Sequence, residues 1–173
     1  SDVYKRQHMH GATLIDKDGN VIRPCILWND TRSYQECEEF EKQNFDVRSI
    51  SGNITMPGFT APKINWIKNN EIDNFKKIFK VLLPKDYLRF VLTGEFFSEM
   101  SDASGTLWLD IKHRKWSNKL LSCSFLEEKH MPDLVEGNEL TGYLKKELKA
   151  KFNFNNNVKV VGGAGDNAAA ATG

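Results

Sequence analysis

The residues best suited to chemistry lie at the end of the chain, where one acid follows a glycine-rich turn. Residues 158–173 read VKVVGGAGDNAAAATG, which predicts a strand, a glycine loop and the start of a helix. Glycines in the turn allow positive φ and a close approach of the backbone to a ligand. The free N–H groups of a helix start would point into the same space. Asp166 is therefore predicted to lie at the mouth of a site.

Two other interpretations compete with a catalytic role for this segment. Asp166 could serve only as the N-cap of the helix, since Asp is among the preferred capping residues. The order Gly163-x-Gly165-x-x-Ala168 also imitates a dinucleotide-binding fingerprint. An acid in the turn would repel a pyrophosphate, and the acid expected about 20 residues further on would fall beyond the sequence. Both points argue against a nicotinamide oxidoreductase.

A second group of chemically useful side chains stands near the start. His8 and His10 fall on one side of a predicted strand, a spacing that a metal pair could use. No third ligand follows at a useful spacing, which favours a hydrogen-bonding role for His10, structural or towards a substrate. Spacing alone predicts a surface position for Lys63 and packing roles for Trp28 and Trp66.

The elements that must position these residues alternate along the chain. A β-hairpin is predicted over residues 9–15 and 21–28. Helices are predicted near 30–44, 58–70, 84–93, 116–126 and 139–152, with short strands at 80–83, 106–109 and 158–161. In the first helix the inward face is predicted to carry Tyr34, Cys37 and Phe40, and the mostly outward positions are Glu36, Glu38, Glu39 and Glu41. The stripe of Tyr87, Leu88, Val91 and Leu92 is predicted to face the core, and residues 95–110 are predicted to form a loop that borders the site.

Composition limits the class of protein. The 173 residues are 40% hydrophobic and 27% charged, which is ordinary for a soluble domain with a core. There are 24 basic and 23 acidic residues and no basic stripe, which argues against a nucleic-acid partner. Three scattered cysteines fit a reducing cytoplasm, and no apolar run is long enough for a membrane span.

The first and last residues of the sequence each support a separate expectation. Residues 1–7 read SDVYKRQ, share no pattern with the residues after them and resemble translated adaptor sequence. We expect a non-native leader there and leave it out of the fold argument. At the other end, residue 173 falls within a helix that has barely begun, so we expect residues 8–173 to be a fragment.

Four motifs in this order resemble those of one protein family. They are MHG at 9–11, ILWNDTR at 26–32, GFTAPKINW at 58–66 and GGAGDNA at 162–168. The family is the FGGY carbohydrate kinases, and the likeness is closest to its bacterial xylulokinase branch. Further matches at 82–88, 92–95 and 101–108 extend the resemblance to nearly everything from Met9 onward.

The resemblance implies an α/β fold of the ribonuclease-H-like, actin-like ATPase type, with a mixed sheet and flanking helices. Such kinases have two domains that bind sugar and ATP in the cleft between them. Residues 8–173 would be a partial first domain, which holds the sugar, and the second, ATP-binding domain would be absent. ATP and Mg²⁺ would therefore be bound mainly by parts outside this chain, and we expect the fragment itself to be inactive.

The implied reaction is ATP-dependent phosphorylation of D-xylulose to D-xylulose 5-phosphate in the cytoplasm. By position, Asp166 matches the family's catalytic base, Met9 and His10 match the pair that contacts the sugar, and Asn167 is a weaker substrate-binding candidate. The family also implies a homodimer for the full-length protein. Ribulose, gluconate or glycerol remain alternative substrates, as does a non-catalytic sugar-binding module, against which the presence of Asp166 argues.

Overall fold

The structure is a computed structural model that describes residues 9–172. The predicted leader and His8 lie outside the described residues. Within the described part the strands are β1 (Thr13–Ile15), β2 (Lys80–Leu82), β3 (Phe97–Glu99), β4 (Leu109–Asp110), β5 (Lys115–Trp116), β6 (Asp133–Val135), β7 (Leu140–Tyr143) and β8 (Lys159–Val161). The α-helices there are α1 (Tyr34–Glu41), α2 (Val47–Ser51), α3 (Thr60–Asn70), α4 (Ile72–Phe75), α5 (Pro84–Thr93), α6 (Met100–Ser104), α7 (Asn118–Ser122), α8 (Lys146–Lys151) and α9 (Asp166–Thr172), with a 3₁₀ helix at Glu128–His130.

The described strands pair two by two, with both orientations present. β1 runs antiparallel to β2, with Leu14 opposite Val81. β3 and β6 are parallel, whereas β4 and β5 are antiparallel. β7 and β8 form the last antiparallel pair, with a register irregularity between Leu140 and Gly142. The strand pairing is therefore mixed, as the sequence resemblance implied.

The predicted hairpin at the start is only partly regular. The amide of Ala12 donates to the carbonyl of Ile26 at 3.1 Å, and the two residues form an isolated antiparallel bridge. The return arm between residues 21 and 28 does not become a continuous strand. Pro24 stands in its middle and has no N–H to donate to a neighbouring strand.

The core lies between β1, β2, the central helix α3 and the segment around Trp108. Trp108 is fully buried and donates its indole N–H to Ser124 Oγ at 3.0 Å. The most buried apolar side chains around it include Leu14, Ile26, Phe40, Ile64, Ile67, Leu107, Leu120 and Leu121. Among residues 9–172, no helix combines the length and the apolar character needed to cross a membrane.

The predicted inward face of α5 was wrong. Leu88 is 57% exposed and Val91 is 39% exposed, whereas Asp86 and Arg89 are buried. These two charged residues form an ion pair in which Arg89 Nη1 lies 2.8 Å from Asp86 Oδ1. A hydrophobic stripe predicts the buried face of a helix only when that face packs on an apolar core. Here the inner face of α5 packs on other charges.

Two further predictions failed because of tertiary contacts. Residues 139–152 do not form one helix, since Leu140 pairs with Val161 in β7 and β8 and Gly142 adopts a φ of 143°. In α1, Glu36 is buried although it was predicted to face outward, and Tyr34 is 63% exposed although it was predicted to be inside. Asn69 from α3 donates to Glu36 Oε1 at 3.3 Å, which satisfies part of the buried carboxylate.

Candidate active site

Three segments that are distant in sequence meet at the start of α9. They are Met9 with His10, the end of α6 at Gly105, and the glycine loop, by which we mean residues 162–165. A Cβ atom placed on Gly165 would lie 3.0 Å from Met9 Cε. A Cβ atom on Gly105 would overlap the His10 ring. The fold therefore brings Met9 and His10 next to the loop that carries Asp166.

His10 is held in an unusual backbone conformation. Its φ is 62°, in the left-handed region that non-glycine residues rarely adopt. Its Nδ1 atom lies 2.9 Å from the carbonyl oxygen of Gly105, and its ring meets Phe59 edge-on with centroids 4.8 Å apart. Because a carbonyl can only accept, Nδ1 must carry the proton in this contact. A neutral imidazole then presents Nε2 as a hydrogen-bond acceptor.

The charge state of His10 follows from its surroundings. Burial lowers the pKa of the imidazole below its ordinary value, and the positive charge of Lys63 lowers it further. The hydrogen bond to Gly105 and the negative charge of Asp166 act in the opposite direction but do not overcome burial. His10 is therefore neutral at neutral pH. The negative charge of Asp166 therefore lies near enough to His10 to favour its protonated form slightly.

Lys63 does not lie on the surface, so its predicted position was wrong. Its residue exposure is 0%, and its Nζ atom donates to the carbonyl oxygen of His10 at 2.9 Å and to that of Gly58. Burial lowers the pKa of Lys63 to about 8, against the opposing influence of Cys25 and Asp30. Spacing on a helix cannot reveal a lysine that is buried against main-chain carbonyls supplied by other segments.

The two tryptophans predicted to pack differ from each other. Trp66 is half-buried, and the Arg32 guanidinium lies 4.8 Å from its ring centroid while also pairing with Asp30. Trp28 is 55% exposed, so its predicted core position was wrong. Its main chain, rather than its ring, packs against Gly58, where a Cβ atom would lie 2.9 Å from the Trp28 carbonyl oxygen.

Asp166 is the first residue of α9 and is half-buried. Its Oδ1 accepts the amide of Asn167 at 2.8 Å, and the Asn167 residue itself is exposed. The carbonyl of Gly165 accepts the amide of Ala169 at 2.8 Å, which makes Gly165 the N-cap of the helix. The interpretation of Asp166 as a simple N-cap therefore does not describe this turn.

Residues 95–110 contact both His10 and the glycine loop. They form β3, α6 and β4 rather than an irregular loop. The amide of Gly165 donates to Ser101 Oγ at 2.9 Å, and His10 bonds to Gly105. Sequence reasoning placed this segment near the site but did not single out Ser101. A serine among other small residues does not reveal its role in a sequence, because that role depends on a hydrogen-bond partner that only the structure shows.

A buried group of charges lies beneath the glycine loop and was not predicted. The ammonium of Lys85 lies 3.3 Å from Asp86, 3.5 Å from Glu99 and 3.6 Å from Asp102, measured to carboxylate oxygens. Burial raises the pKa of Asp102 to about 7, with Asp86 and Glu99 adding to the rise and Lys85 opposing it. Asp102 Oδ1 is buried without a hydrogen-bond partner among the residues that the structure describes.

These carboxylates surround an ammonium group rather than a cavity for a cation. Across residues 9–172, no group of three or more His, Cys, Asp or Glu side chains could hold a metal ion. His8, the other member of the metal pair considered from the sequence, lies outside the described residues. The described donor set thus does not fit Mg²⁺.

Comparison with known proteins identifies the relatives of this chain. The model of the FGGY family of carbohydrate kinases, N-terminal domain, matches residues 6–173. A xylulose kinase from Escherichia coli (strain K12) is 52% identical over 165 residues, covering 95% of this chain and 34% of the relative. The chain thus spans about a third of the length of the curated relatives it matches.

The solved structures that this chain resembles are also those of sugar kinases. A crystal structure of a xyloylose kinase from Brucella ovis is 56% identical, with a TM-score of 0.90, and the match covers 93% of this chain and 33% of that one. A gluconate kinase from Lactobacillus acidophilus superposes with a TM-score of 0.86 at 23% identity, over 92% of this chain and 33% of that one, which shows a shared fold alone. The ribonuclease-H-like α/β fold expected from the motifs is confirmed.

Proposed function

Because the chain belongs to the FGGY family of carbohydrate kinases, we propose that the complete protein transfers the terminal phosphoryl group of ATP to a hydroxyl group of a small sugar. One observation carries the proposal for this chain: the Asp166 carboxylate directly follows a glycine loop that lies against Met9, and a neutral His10 stands beside it. A carboxylate beside a neutral hydrogen-bonding group suits a sugar hydroxyl that must lose its proton.

The role we assign to Asp166 is that of the catalytic base. Phosphoryl transfer depends mainly on positioning and on neutralising charge, and it also needs an acceptor for the proton of the attacking hydroxyl. In the proposed step the sugar oxygen attacks the terminal phosphorus, its proton passes to Asp166, and ADP leaves. ATP supplies the phosphoryl group. This chain also holds the sugar so that the reacting oxygen of the sugar faces the Asp166 carboxylate.

We assign the sugar contacts to Met9, His10 and Asn167. The neutral imidazole of His10 can accept a hydrogen bond from a sugar hydroxyl at Nε2, since its Nδ1 is already occupied by Gly105. The Met9 side chain lies against Gly165 and offers an apolar surface to the carbon chain of the sugar. Asn167 is exposed next to Asp166 and provides an amide for a further hydroxyl.

The substrate we propose is D-xylulose, with D-xylulose 5-phosphate as product. Support comes from relatives described as xylulose kinases at 51% and 52% identity. A structure described as a gluconate kinase has the same fold, so gluconate is the first alternative, followed by ribulose and glycerol. The Met9–His10 pair also favours a ketose, because the family resemblance implies an Arg-Glu pair at this place in glycerol kinases.

ATP use follows from the family, and Mg²⁺ is our proposal for the accompanying ion. We propose that both are bound mainly by parts of the complete protein outside this chain, as the family resemblance implies. We further propose a cytoplasmic enzyme that is a homodimer when complete. A sugar-binding module without catalysis is the second candidate, and the half-buried Asp166 disfavours it, since binding alone does not need a base at that position.

The test is a coupled assay of ADP release by the complete protein over D-xylulose, D-ribulose, gluconate and glycerol. We expect the highest kcat/KM with D-xylulose. Activity with a different sugar as the best substrate would change the substrate but keep the reaction. Binding of D-xylulose without ADP release, at any magnesium concentration, would instead support the binding module.

A further inference from the structure

The glycine loop is anchored at its start by the buried side chains of Lys85 and Arg89 and at its end by the half-buried Ser101. At its start, the carbonyl oxygen of Gly162 accepts hydrogen bonds from Arg89 Nη2 and from Lys85 Nζ, the latter at 3.4 Å. At its end, the amide of Gly165 donates to Ser101 Oγ at 2.9 Å. The two anchored groups flank the turn immediately before Asp166. Both donors to Gly162 belong to α5, whereas Ser101 belongs to α6.

The Ser101 hydroxyl is itself fixed in direction. Its Oγ lies 2.8 Å and 2.9 Å from the two carboxylate oxygens of Glu99, so its single proton points to Glu99. A lone pair is then left to accept the Gly165 amide. Glu99 also accepts the amides of Ser101 and Asp102 at 2.8 Å each, which fixes the carboxylate. The chain of contacts therefore runs from Glu99 through Ser101 to the residue before Asp166.

Arg89 is fixed by a similar set of contacts. Its Nη1 atom donates to Asp86 Oδ1 at 2.8 Å and to the carbonyl oxygen of Phe97 at 2.6 Å, while Nη2 reaches Gly162. The side chain is 4% exposed. The planar guanidinium can make these bonds at the same time, which the ammonium of a lysine cannot do with the same geometry. Gly162 is therefore tied to α5 through a rigid group.

We propose, on the basis of the function proposed above, that Ser101 and Arg89 are positioning residues that hold the glycine loop so that Asp166 meets the attacking hydroxyl. Glycine gives the loop its tight path but also makes it flexible, so the loop needs restraint from outside. A displacement of about 1 Å at a reacting group can reduce a rate about 100-fold. Neither side chain is proposed to touch the sugar.

The first test uses Ser101→Ala in the complete protein. We expect kcat to fall about 10- to 100-fold while the KM for the sugar changes by less than about 3-fold, because the loop is misplaced but the sugar contacts remain. Ser101→Thr keeps the hydroxyl and should restore most of kcat. Ser104→Ala is the matched control, since this serine lies on the same helix and bonds to the carbonyl of Ser101 within it.

Amide hydrogen exchange gives a second readout that does not depend on activity. Peptides that cover residues 162–168 should exchange faster in Ser101→Ala than in the wild type, and Ser101→Thr and Ser104→Ala should resemble the wild type. Arg89→Lys should also speed this exchange and lower kcat more than it changes KM. Because Arg89→Lys removes buried contacts, its kinetics are measured below its own melting temperature.

The outcomes separate this inference from the proposed function. If Asp166→Asn abolishes turnover but Ser101→Ala keeps kcat and leaves exchange at 162–168 unchanged, the inference is overturned while the kinase function stands. If the wild type phosphorylates none of the sugars, the proposed function fails and the catalytic part of the inference fails with it. Faster exchange together with lower kcat and restored activity in Ser101→Thr would support the positioning role.

Discussion

The Nζ atom of Lys63 lies 2.9 Å from the main-chain carbonyl oxygen of His10, so a fully buried ammonium fixes the backbone of a residue at the candidate site. Thr60 Oγ1 donates to the same oxygen at 3.2 Å. Both donors lie on α3, whose first turns therefore hold His10 in its left-handed conformation. The motif that contains Thr60 and Lys63 thus has a structural role in supporting the site, and its chemistry is hydrogen bonding to the backbone.

Replacing Lys63 with Met should destabilise the protein and weaken sugar binding. The change removes the ammonium donor from the carbonyls of His10 and Gly58. The His10 carbonyl keeps the bond from Thr60, whereas the Gly58 carbonyl loses the Lys63 bond, and an unpaired buried group costs about 1–3 kcal/mol. We expect a lower melting temperature and a sugar Kd raised about 3- to 10-fold through a displacement of His10. Calorimetry of unfolding and of sugar binding measures both effects. Lys77→Met, at an exposed position, is the control, and equal effects from the two variants would contradict the role of Lys63.

Asp166→Asn should reduce turnover far more than sugar affinity. The amide keeps the size and the acceptor oxygen of the side chain but cannot take the proton of the attacking hydroxyl, so kcat should fall about 10²- to 10⁴-fold. The sugar Kd should stay within about 3-fold of the wild-type value. Steady-state kinetics and direct binding give the two quantities. Asp73→Asn, at an exposed position, is the control, and normal turnover in Asp166→Asn would remove the assignment of the base.

The sequence predicted best those elements whose signals are local. Helix α5 begins at Pro84 and ends at Thr93, as predicted, because proline is favoured in the first turn and Gly94 adopts a φ of 89° as the C-cap. The strand before the glycine loop and the start of α9 at Asp166 also followed from local composition. Each of these signals acts within a few residues of the feature it predicts.

Features that depend on distant partners could not be predicted in this way. The four-residue spacing of leucines predicted a helix that includes Leu140. Leu140 instead lies in a strand, because it pairs with Val161 from a later part of the chain. Arg89 and Lys63 were unremarkable as helix positions, because their acceptors, Gly162 and His10, come from other parts of the chain. The meeting of His10 with the glycine loop was expected only from the family motifs. Spacing alone left a structural role for His10 equally open.

The neutral state of His10 predicts how binding depends on pH. Its pKa is lowered by burial, so the neutral imidazole is favoured in the folded protein. The contribution of His10 to the free energy of unfolding is therefore fully present above the ordinary pKa of histidine, about 6.5, and is lost as the pH falls below that value. Sugar affinity should therefore be flat from pH 8 to about 6.5 and decline only at more acidic pH, when protonated Nε2 can no longer accept. Calorimetric titration of the sugar across this range measures it, and a decline beginning above pH 7 would contradict the lowered pKa.

Asp102 should make the folded protein less stable as the pH rises, which is the reverse of the pH dependence argued for His10. Its pKa is raised to about 7, so between about pH 4 and pH 7 the folded state holds a proton that the unfolded state releases. The free energy of unfolding should fall as the pH rises through this window, by at most about 1.4 kcal/mol per pH unit, and level off above it. Asp102→Asn should be at least as stable as the wild type at pH 8, because the amide removes one negative charge from a buried group in which Asp86, Glu99 and Asp102 share the Lys85 ammonium.

Urea unfolding of wild type and Asp102→Asn at pH 5, 6, 7 and 8 measures this dependence. The difference between the two proteins should move in favour of the variant as the pH rises. Asp16→Asn is the matched control, since the backbone hydrogen bond from Asn20 lowers rather than raises the pKa of Asp16, and its removal should give no such trend over this range. A loss of stability in Asp102→Asn that is equal at all four pH values would show that Asp102 acts as a charged partner of Lys85 throughout.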